Sequence, residues 1–395
     1  LTTRSGTNDF HGGIYDYFRN TVMDASNWFN GTHTPPLPKA PEHHNDFGGF
    51  LGGPIWKDRT FFFASYEGAR LAQPQSAVFQ VPSAYARAQA SAALAPFLNA
   101  YPQPNGQPAS PTAYVAPFTG SFSNRATLDA GSVRMDHTFS SRFTVFGRYN
   151  NAPSELRNLN VTLPSNPQTV TVNTQTVTVG LNMSLSTQMS NTLRGNYSTQ
   201  NSGSEYSQNS FGGAVPVSAG LLQSMLPGAS SSASFLTFDT FKQYILGAIT
   251  KNRTKQLNLV DDLSWNIGAH QLKFGGDYRD IILDLAPYQN QLNFSVTSIQ
   301  GFLATGQANL SAQTVRRSQF LTQAFSLYGQ DTWKVTPKLT LTYGLRWELS
   351  PAPSARGTTT LAAWTNTNNL AQLAPAPSGT SLWQTAYTNF APRFG

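Results

Sequence analysis

Polar and apolar residues alternate along much of the chain with a period of two. Leu339, Leu341, Tyr343, Leu345, Trp347 and Leu349 take every second position, and Thr340, Thr342, Gly344, Arg346, Glu348 and Ser350 fill the gaps. Successive side chains of a strand point to opposite faces, so this segment predicts a strand with one apolar and one polar side. Val177, Val179, Leu181, Met183 and Leu185 repeat the pattern, as do Leu272, Phe274, Gly276 and Tyr278. Leu257, Leu259, Leu263 and Trp265 follow it with a break at Asp261, and Phe143, Val145 and Tyr149 continue it.

The predicted strands come in pairs. Short turns fall at Lys57-Asp58, Ser140-Ser141, 186–191, 266–269 and 335–337. Longer stretches rich in Pro, Ser, Asn, Gln and Ala lie at 20–43, 72–124, 201–252, 286–320 and 351–388. If the strands run up and down, all short turns share one end and all long loops the other. A soluble sandwich has no reason to sort its connections by length. An outer-membrane barrel does, with short periplasmic turns, long extracellular loops and strands of about ten residues. Eight steps of about 3.3 Å from Leu339 to Trp347, tilted by about 40°, cover ~20 Å of an apolar band ~25 Å tall. Phe139, Trp265 and Trp333 each close a descending strand just before its turn, where an aromatic girdle would meet the interface. Trp265 to Gly276 and Trp333 to Gly344 both span 11 residues, a repeated hairpin unit. The fold class expected is all-β, an antiparallel transmembrane β-barrel. Eleven strands and the start of a twelfth at 389–395 are counted. Unpaired sheet edges are not tolerated in hydrocarbon. Further strands are therefore expected beyond Gly395, and the chain reads as a fragment cut at both ends from a longer one.

Composition narrows the function classes. Charged residues are only 11% of the 395, against about 25% in an average soluble domain. Apolar runs such as Phe61-Phe62-Phe63-Ala64 stop far short of the roughly 18 residues of a membrane helix. With 12% aromatics the chain does not read as disordered, and with no cysteine it has neither disulfides nor thiolate chemistry. The net charge of +7 raises nucleic acid, but the basic residues are scattered, Arg316-Arg317 being the longest run. Phosphate tracking needs clustered cations, so nucleic acid is set aside. No targeting segment is visible at Leu1.

Several constellations resemble chemistry and have plainer readings. Gly48-Gly49 and Gly52-Gly53 suggest a phosphate cradle, but such a loop must open a helix. Here the block sits in alternating strand, where glycines let aromatics such as Phe61 and Phe63 pack across. His43, His44 and Asp46, with His33 nearby, offer metal donors, yet adjacent strand residues point to opposite faces. His137 beside Asp136 fails as a nucleophile-base-orienter line for the same reason. No enzyme activity, cofactor or metal site is expected. The Ala-rich stretch Ser83 to Ala100 predicts a short helix inside a long loop, either a ligand-contacting lid or packing on the barrel mouth. Arg148, Arg279 and Arg346 share the polar-face parity and would either steer an anionic ligand through the lumen or only bond each other or the plug.

The wording of the motifs resembles a known family. Thr3-Arg4-Ser5-Gly6-Thr7-Asn8-Asp9-Phe10-His11-Gly12 is similar to the plug-to-barrel junction of TonB-dependent outer-membrane receptors, closest to the Oar-like group. Asn45-Asp46-Phe47-Gly48-Gly49-Phe50-Leu51-Gly52-Gly53-Pro54-Ile55 and Lys57-Asp58-Arg59-Thr60-Phe61-Phe62-Phe63 resemble that group's second and third barrel strands. Gln330-Asp331-Thr332-Trp333-Lys334 and Asn389-Phe390-Ala391-Pro392-Arg393-Phe394-Gly395 extend the likeness. The resemblance implies a 22-stranded barrel closed by an N-terminal plug, of which residues 1–395 would be the first barrel half and 1–8 the junction. It further implies a Gram-negative outer membrane, contact with its lipid and lipopolysaccharide, and uptake of a scarce nutrient (siderophore, carbohydrate or peptide). The energy would come through the TonB complex, by way of segments outside this chain. A non-transporting adhesion barrel and a secreted glycan-binding sandwich are the alternatives. The substrate is not legible, because the long loops carry no pattern.

Overall fold

Twelve strands run through the sheet that dominates the computed structural model. It describes residues 4–395 except 27, 33–38, 40, 160–162, 226–230, 238–242, 247, 248, 287–289, 297 and 358. The strands are β1 (His11–Asn20), β2 (His43–Trp56), β3 (Thr60–Pro82), β4 (Val115–Ser140), β5 (Phe143–Asn158) and β6 (Gln168–Ser184). They continue with β7 (Met189–Tyr206), β8 (Ile249–Ile267), β9 (His270–Ala286), β10 (Ser318–Thr336), β11 (Leu339–Leu349) and β12 (Phe390–Phe394). Each pairs with the next in chain order, and every pairing is antiparallel. A short strand, Ser354–Arg356, adds to β10. The sheet is open, with β1 and β12 at its two edges. Among the described residues no helix is long and apolar enough to cross a membrane, so any crossing is made by strands.

All five expected short turns are present, between β2 and β3, β4 and β5, β6 and β7, β8 and β9, and β10 and β11. Asp58 (φ 64°) and Gly268 (φ 56°) supply the left-handed backbone that two of these turns need. Register puts the predicted apolar positions on one side. Leu345 pairs Gly329, Trp347 pairs Leu327, Tyr278 pairs Leu259, and Tyr197 pairs Val177, which pairs Tyr149. Leu51, Val133, Val179, Leu193, Leu259, Leu327 and Leu345 remain between 45% and 51% exposed. Bare apolar side chains on neighbouring strands form a continuous belt, which is the lipid-facing surface of a barrel wall. The break at Asp261 is satisfied within this face, because Asn191 Nδ2 donates to its Oδ1 at 2.8 Å.

The strands outrun their expected length. Residues 72–82 and 115–124, read in the sequence as loop, are laddered from Ala72↔Arg125 to Pro82↔Val115. Their Pro and Ser content suggested a coil. Above Ala72, however, β3 has lost its β2 partner, and β4 meets β5 only from Arg125 onward. A two-stranded ribbon has a free edge on each strand, where Pro74 and Pro117 are admitted. Along 115–124 every even position is buried, Phe118 and Phe122 among them.

That ribbon and the long connections make the molecule's buried core. Phe79, Val81 and Phe118 come from the ribbon, and Leu98, Ala100 and Tyr101 from the connection that follows β3. Leu163, Val217, Tyr244 and Ile299 come from three later connections. The predicted helix is there as Ala84–Gln89, with Ser83 capping Ala86 N at 3.0 Å, followed by Ala95–Asn99. The core residues of the ribbon have inward parity, so the connections fold over the mouth of the barrel as a cap.

Candidate functional site

The inward face of the wall is polar. Asn196 Nδ2 donates to Thr178 Oγ1 at 2.8 Å and Thr192 Oγ1 to Asn182 Oδ1 at 3.2 Å, so β6 and β7 carry a ladder of amides and hydroxyls. The three arginines singled out in the sequence all lie on this face, and each is held by a residue two positions along its own strand. Arg346 Nε donates to Glu348 at 2.7 Å, Arg279 to Asp277 at 2.9 Å, and Arg148 to Asn150 at 2.8 Å. Residues i and i+2 of a strand share a face, which brings these partners together. Arg346 and Arg279 are thereby matched by carboxylates, whereas the partner of Arg148 is a neutral amide.

Two further arginines belong to the same wall. Arg134 sits directly opposite Arg148 in the β4–β5 ladder, donates to Asp136 at 2.6 and 2.8 Å, and lies 4.3 Å over the Phe146 ring. Asp136 also accepts from Ser5 Oγ at 2.8 Å. Arg194 pairs with Asp262 at 3.0 Å, and Tyr328 donates to the other oxygen of that carboxylate at 2.7 Å. The Arg134-x-Asp136 spacing was a usable signal for the first; the second arises from register across strands.

The N-terminal segment is fastened to the periplasmic end of the wall. Besides the Ser5 bond, Asn8 Nδ2 donates to Asp58 Oδ1 at 2.5 Å and accepts from Asp58 N at 2.8 Å, closing the first turn. Arg4 lies 5.8 Å from the Phe50 ring centre. Residues 1–3 lie outside the described residues.

The glycine block behaves as strand packing. A Cβ on Gly52 would come within 2.9 Å of Phe63, one on Gly48 within 2.6 Å of the Tyr15 hydroxyl, and one on Gly53 within 2.3 Å of Phe10. His43 and His44 occupy successive ladder positions, His43 against Asn20 at 3.0 Å, and His33 lies outside the described residues. Among the described residues no three His, Cys, Asp or Glu side chains gather as a metal site. His137 bonds Thr60 Oγ1 at 2.8 Å rather than Asp136. The imidazole that does meet a carboxylate is His270, 2.7 Å from Asp331, which also accepts from Tyr343 at 2.7 Å. Trp333 stacks on that ring, 5.3 Å between centres, so the trio belongs to the periplasmic aromatic rim.

The cap is braced by buried polar groups. Asn166 donates to Ser207 O and Ile245 O at 2.8 and 2.9 Å and accepts from Ile245 N at 2.7 Å. Ser165 donates to Ala100 O at 3.0 Å. Arg87 spans Asn99 Oδ1 (3.0 Å) and the carbonyls of Pro82, Tyr101 and Pro102 (3.2, 3.2 and 2.8 Å), and burial pulls its pKa down to about 10. The Tyr101 and Tyr244 rings lie 5.7 Å apart, and burial raises both phenols well above their ordinary range.

A belted outer face, a polar inner face, short turns at one end and a folded cap at the other define an outer-membrane β-barrel wall. The chain belongs to the outer membrane beta barrel domain family, whose model matches residues 2–395. Its place is the outer membrane of a Gram-negative bacterium. Among solved structures it is similar to the outer membrane transporter YddB from Escherichia coli, at 11% identity and a TM-score of 0.53 over 89% of this chain and 40% of that one. The siderophore receptor PirA from Acinetobacter baumannii aligns at 12% identity and a TM-score of 0.47, over 91% of this chain and 42% of that one. The chain thus spans less than half the length of either structure. No characterised protein matches it by sequence. The likeness to YddB is one of fold.

Proposed function

We infer that this chain forms part of the wall of a TonB-dependent receptor that takes up a scarce polar nutrient. The observation that carries this reading is the N-terminal segment bonded to the periplasmic end of the wall, Ser5 to inward-facing Asp136 and Asn8 to Asp58 in the first turn. A plug must join a barrel at such a place, inside the periplasmic rim, and residues 4–8 would be that join. Arg134, Arg194, Arg279 and Arg346 are each paired with a carboxylate, so the lumen suits a hydrated polar solute held mainly by neutral hydrogen bonds. The cap over the mouth would select it.

Growth on limiting nutrients tests the reading. A strain lacking the gene should lose uptake of one nutrient class among siderophores, carbohydrates and peptides. Cells with the gene but without a working TonB complex should lose the same uptake. Normal growth of both strains across all three classes would favour the non-transporting adhesion barrel.

A further inference from the structure

We propose that the free edge of a second sheet, in the cap, is a docking strand for an extended oligopeptide. The site itself needs only the cap; naming the peptide as the nutrient rests on the transport reading above. The connections after β7 and β9 supply four short strands, in the spatial order Asn309–Thr314, Asn290–Val296, Ser231–Thr237 and Tyr244–Leu246. This sheet has two edges, and the chain treats them differently.

At the Tyr244–Leu246 edge the backbone is closed. The Asn166 amide accepts from Ile245 N at 2.7 Å and donates to Ile245 O at 2.9 Å, imitating one rung of a ladder. Tyr244 beside it is buried in the cap core. At the opposite edge all six residues of Asn309–Thr314 are exposed, and among the described residues no strand pairs with their outer side. An unpaired edge presents a row of N–H and C=O groups to any extended chain, and proteins usually block it with charge, proline or a bulge. Asn309-Leu310-Ser311-Ala312-Gln313-Thr314 has neither charge nor proline, and it pairs with Asn290–Val296 without a register shift. Added strands take affinity from main-chain bonds and specificity from alternate side chains.

What lies along and beyond the edge selects the occupant. Leu310 is 59% exposed and opposes Phe294, in a row of the sheet that ends at buried Tyr244. Ala312 opposes Leu292 on the same face. A chain added outside Leu310 lengthens both rows, so apolar residues at alternate positions of the peptide would continue them. Two residues past Thr314, exposed Arg316 has no carboxylate within ion-pair distance among the described residues, whereas Arg317 is held by Asp284. A guanidinium there fits a terminal carboxylate, which sets the peptide parallel to Asn309–Thr314. At the start of the strand lies a hollow of about 630 Å³, lined by Ser295, Ser298, Thr305, Gln307 and Asn309 among others and by no charged side chain. Its hydroxyl and amide oxygens would accept from the peptide's ammonium. The strand between them is about 17 Å long, which suits a peptide of about six residues with free ends. A second copy of this chain fits less well, because two-fold pairing in register would set Arg316 opposite a second Gln307, which brings no anion.

The probe is a linear hexapeptide of alternating valine and serine with free ends, titrated calorimetrically into the intact protein in detergent. Amide hydrogen exchange then locates it, and exchange at 309–312 should slow when the peptide is added. N-methylation of every second peptide residue, tried in both phases, should weaken binding about tenfold or more in one phase, since it removes the donors of the new ladder. Amidating the peptide's C-terminus should cost about threefold. Arg316→Gln should cost the free acid the same factor and the amide nothing. Absence of binding would overturn the proposal, as would equal affinity for the peptide and both methylated forms, or binding that leaves exchange at 309–312 unchanged. Protection of 309–312 that rises with protein concentration in the absence of peptide would give the edge to a second copy and overturn it too. These comparisons use the unmodified protein, so a misfolded variant does not decide them. Peptide held at this edge by cells that fail to import it would uphold the site and refute the transport reading.

Discussion

Leu345 on β11 and Leu163 in the connection after β5 are the same residue in opposite settings. The first is 48% exposed and the second fully buried. The contrast extends to whole regions. Most strand leucines and valines of the belt are left bare, while the conventional core belongs to the cap, built from the β3–β4 ribbon and the long connections. Burial from water drives both, at about 25 cal/mol per Å² of apolar area. In the cap other side chains provide that burial. For the belt the membrane must do so. Low exposure therefore marks the part of this protein that lives in water, and high exposure the part that does not.

A charge on each face of one strand tests the contrast most severely. Leu345→Arg should destabilise the assembled wall by about 2–4 kcal/mol, the cost of a cation on the lipid face near mid-band. Thr342→Arg points to the lumen, where Thr332 is its ladder partner, and should cost far less. Heat-modifiable electrophoretic mobility of membrane fractions reads the folded share of each. Equal losses would contradict the facing assigned here.

The next effect should stay in the cap. Leu163→Ala removes a fully buried side chain at a cost of about 2–5 kcal/mol. Limited proteolysis should then cut the cap while the strands stay protected. Loss of both together would mean that cap and wall fold as one unit.

These two regions also differ in how much of them the sequence discloses. Alternation at Leu339–Leu349 and short turns such as that at Gly268 are local signals, so strands, turns and facing could all be read from neighbours. The inward arginines could be placed for the same reason. Their neutralisation was half legible: Arg346-x-Glu348 and Asp277-x-Arg279 state it outright, but Arg194 meets Asp262 only through the β7–β8 register. In the cap, Leu98, Leu163, Val217 and Ile299 meet from distant segments with no shared period, and no local rule foretells such a core. Pro74 and Pro117 even pointed the wrong way, because the ribbon's free edges are a tertiary fact.

Alkaline pH should separate the regions without any mutation. A phenol whose folded pKa is raised contributes its full stability below pH ~10 and loses it as pH climbs toward the folded value. Tyr101 and Tyr244 both behave this way. Arg87, pulled down to about 10, acts oppositely, since shedding its proton relieves a burial cost as pH rises. Two phenols outweigh one guanidinium. Above pH 10 the cap should therefore loosen, with tyrosinate absorbance and protease sensitivity rising together while strand circular dichroism holds. Titration of all 15 tyrosines near pH 10, Tyr101 and Tyr244 included, with no loosening would show that the cap is not closed around these rings.

The finest test compares two glycines on adjacent strands of the same wall. Gly147 on β5 has outward parity, and a Cβ there would meet nothing within 4 Å. Gly180 on β6 has inward parity, and a Cβ there would fall 2.2 Å from the Phe146 ring. Both lie in regular strand, so replacing either with alanine removes the same unfolded-chain entropy, about 0.5–1 kcal/mol in favour of folding. Packing decides the rest. Gly147→Ala should keep that small gain, since lipid chains yield to one methyl group. Gly180→Ala should turn it into a loss of about 1–3 kcal/mol, because Phe146 is held beneath Arg134 and cannot step aside without giving up that contact. Urea titration of the folded wall in detergent would read the difference. Two equal shifts would mean that the lumen side is as yielding as the membrane, and that the arginine-backed aromatic wall is looser than its distances imply.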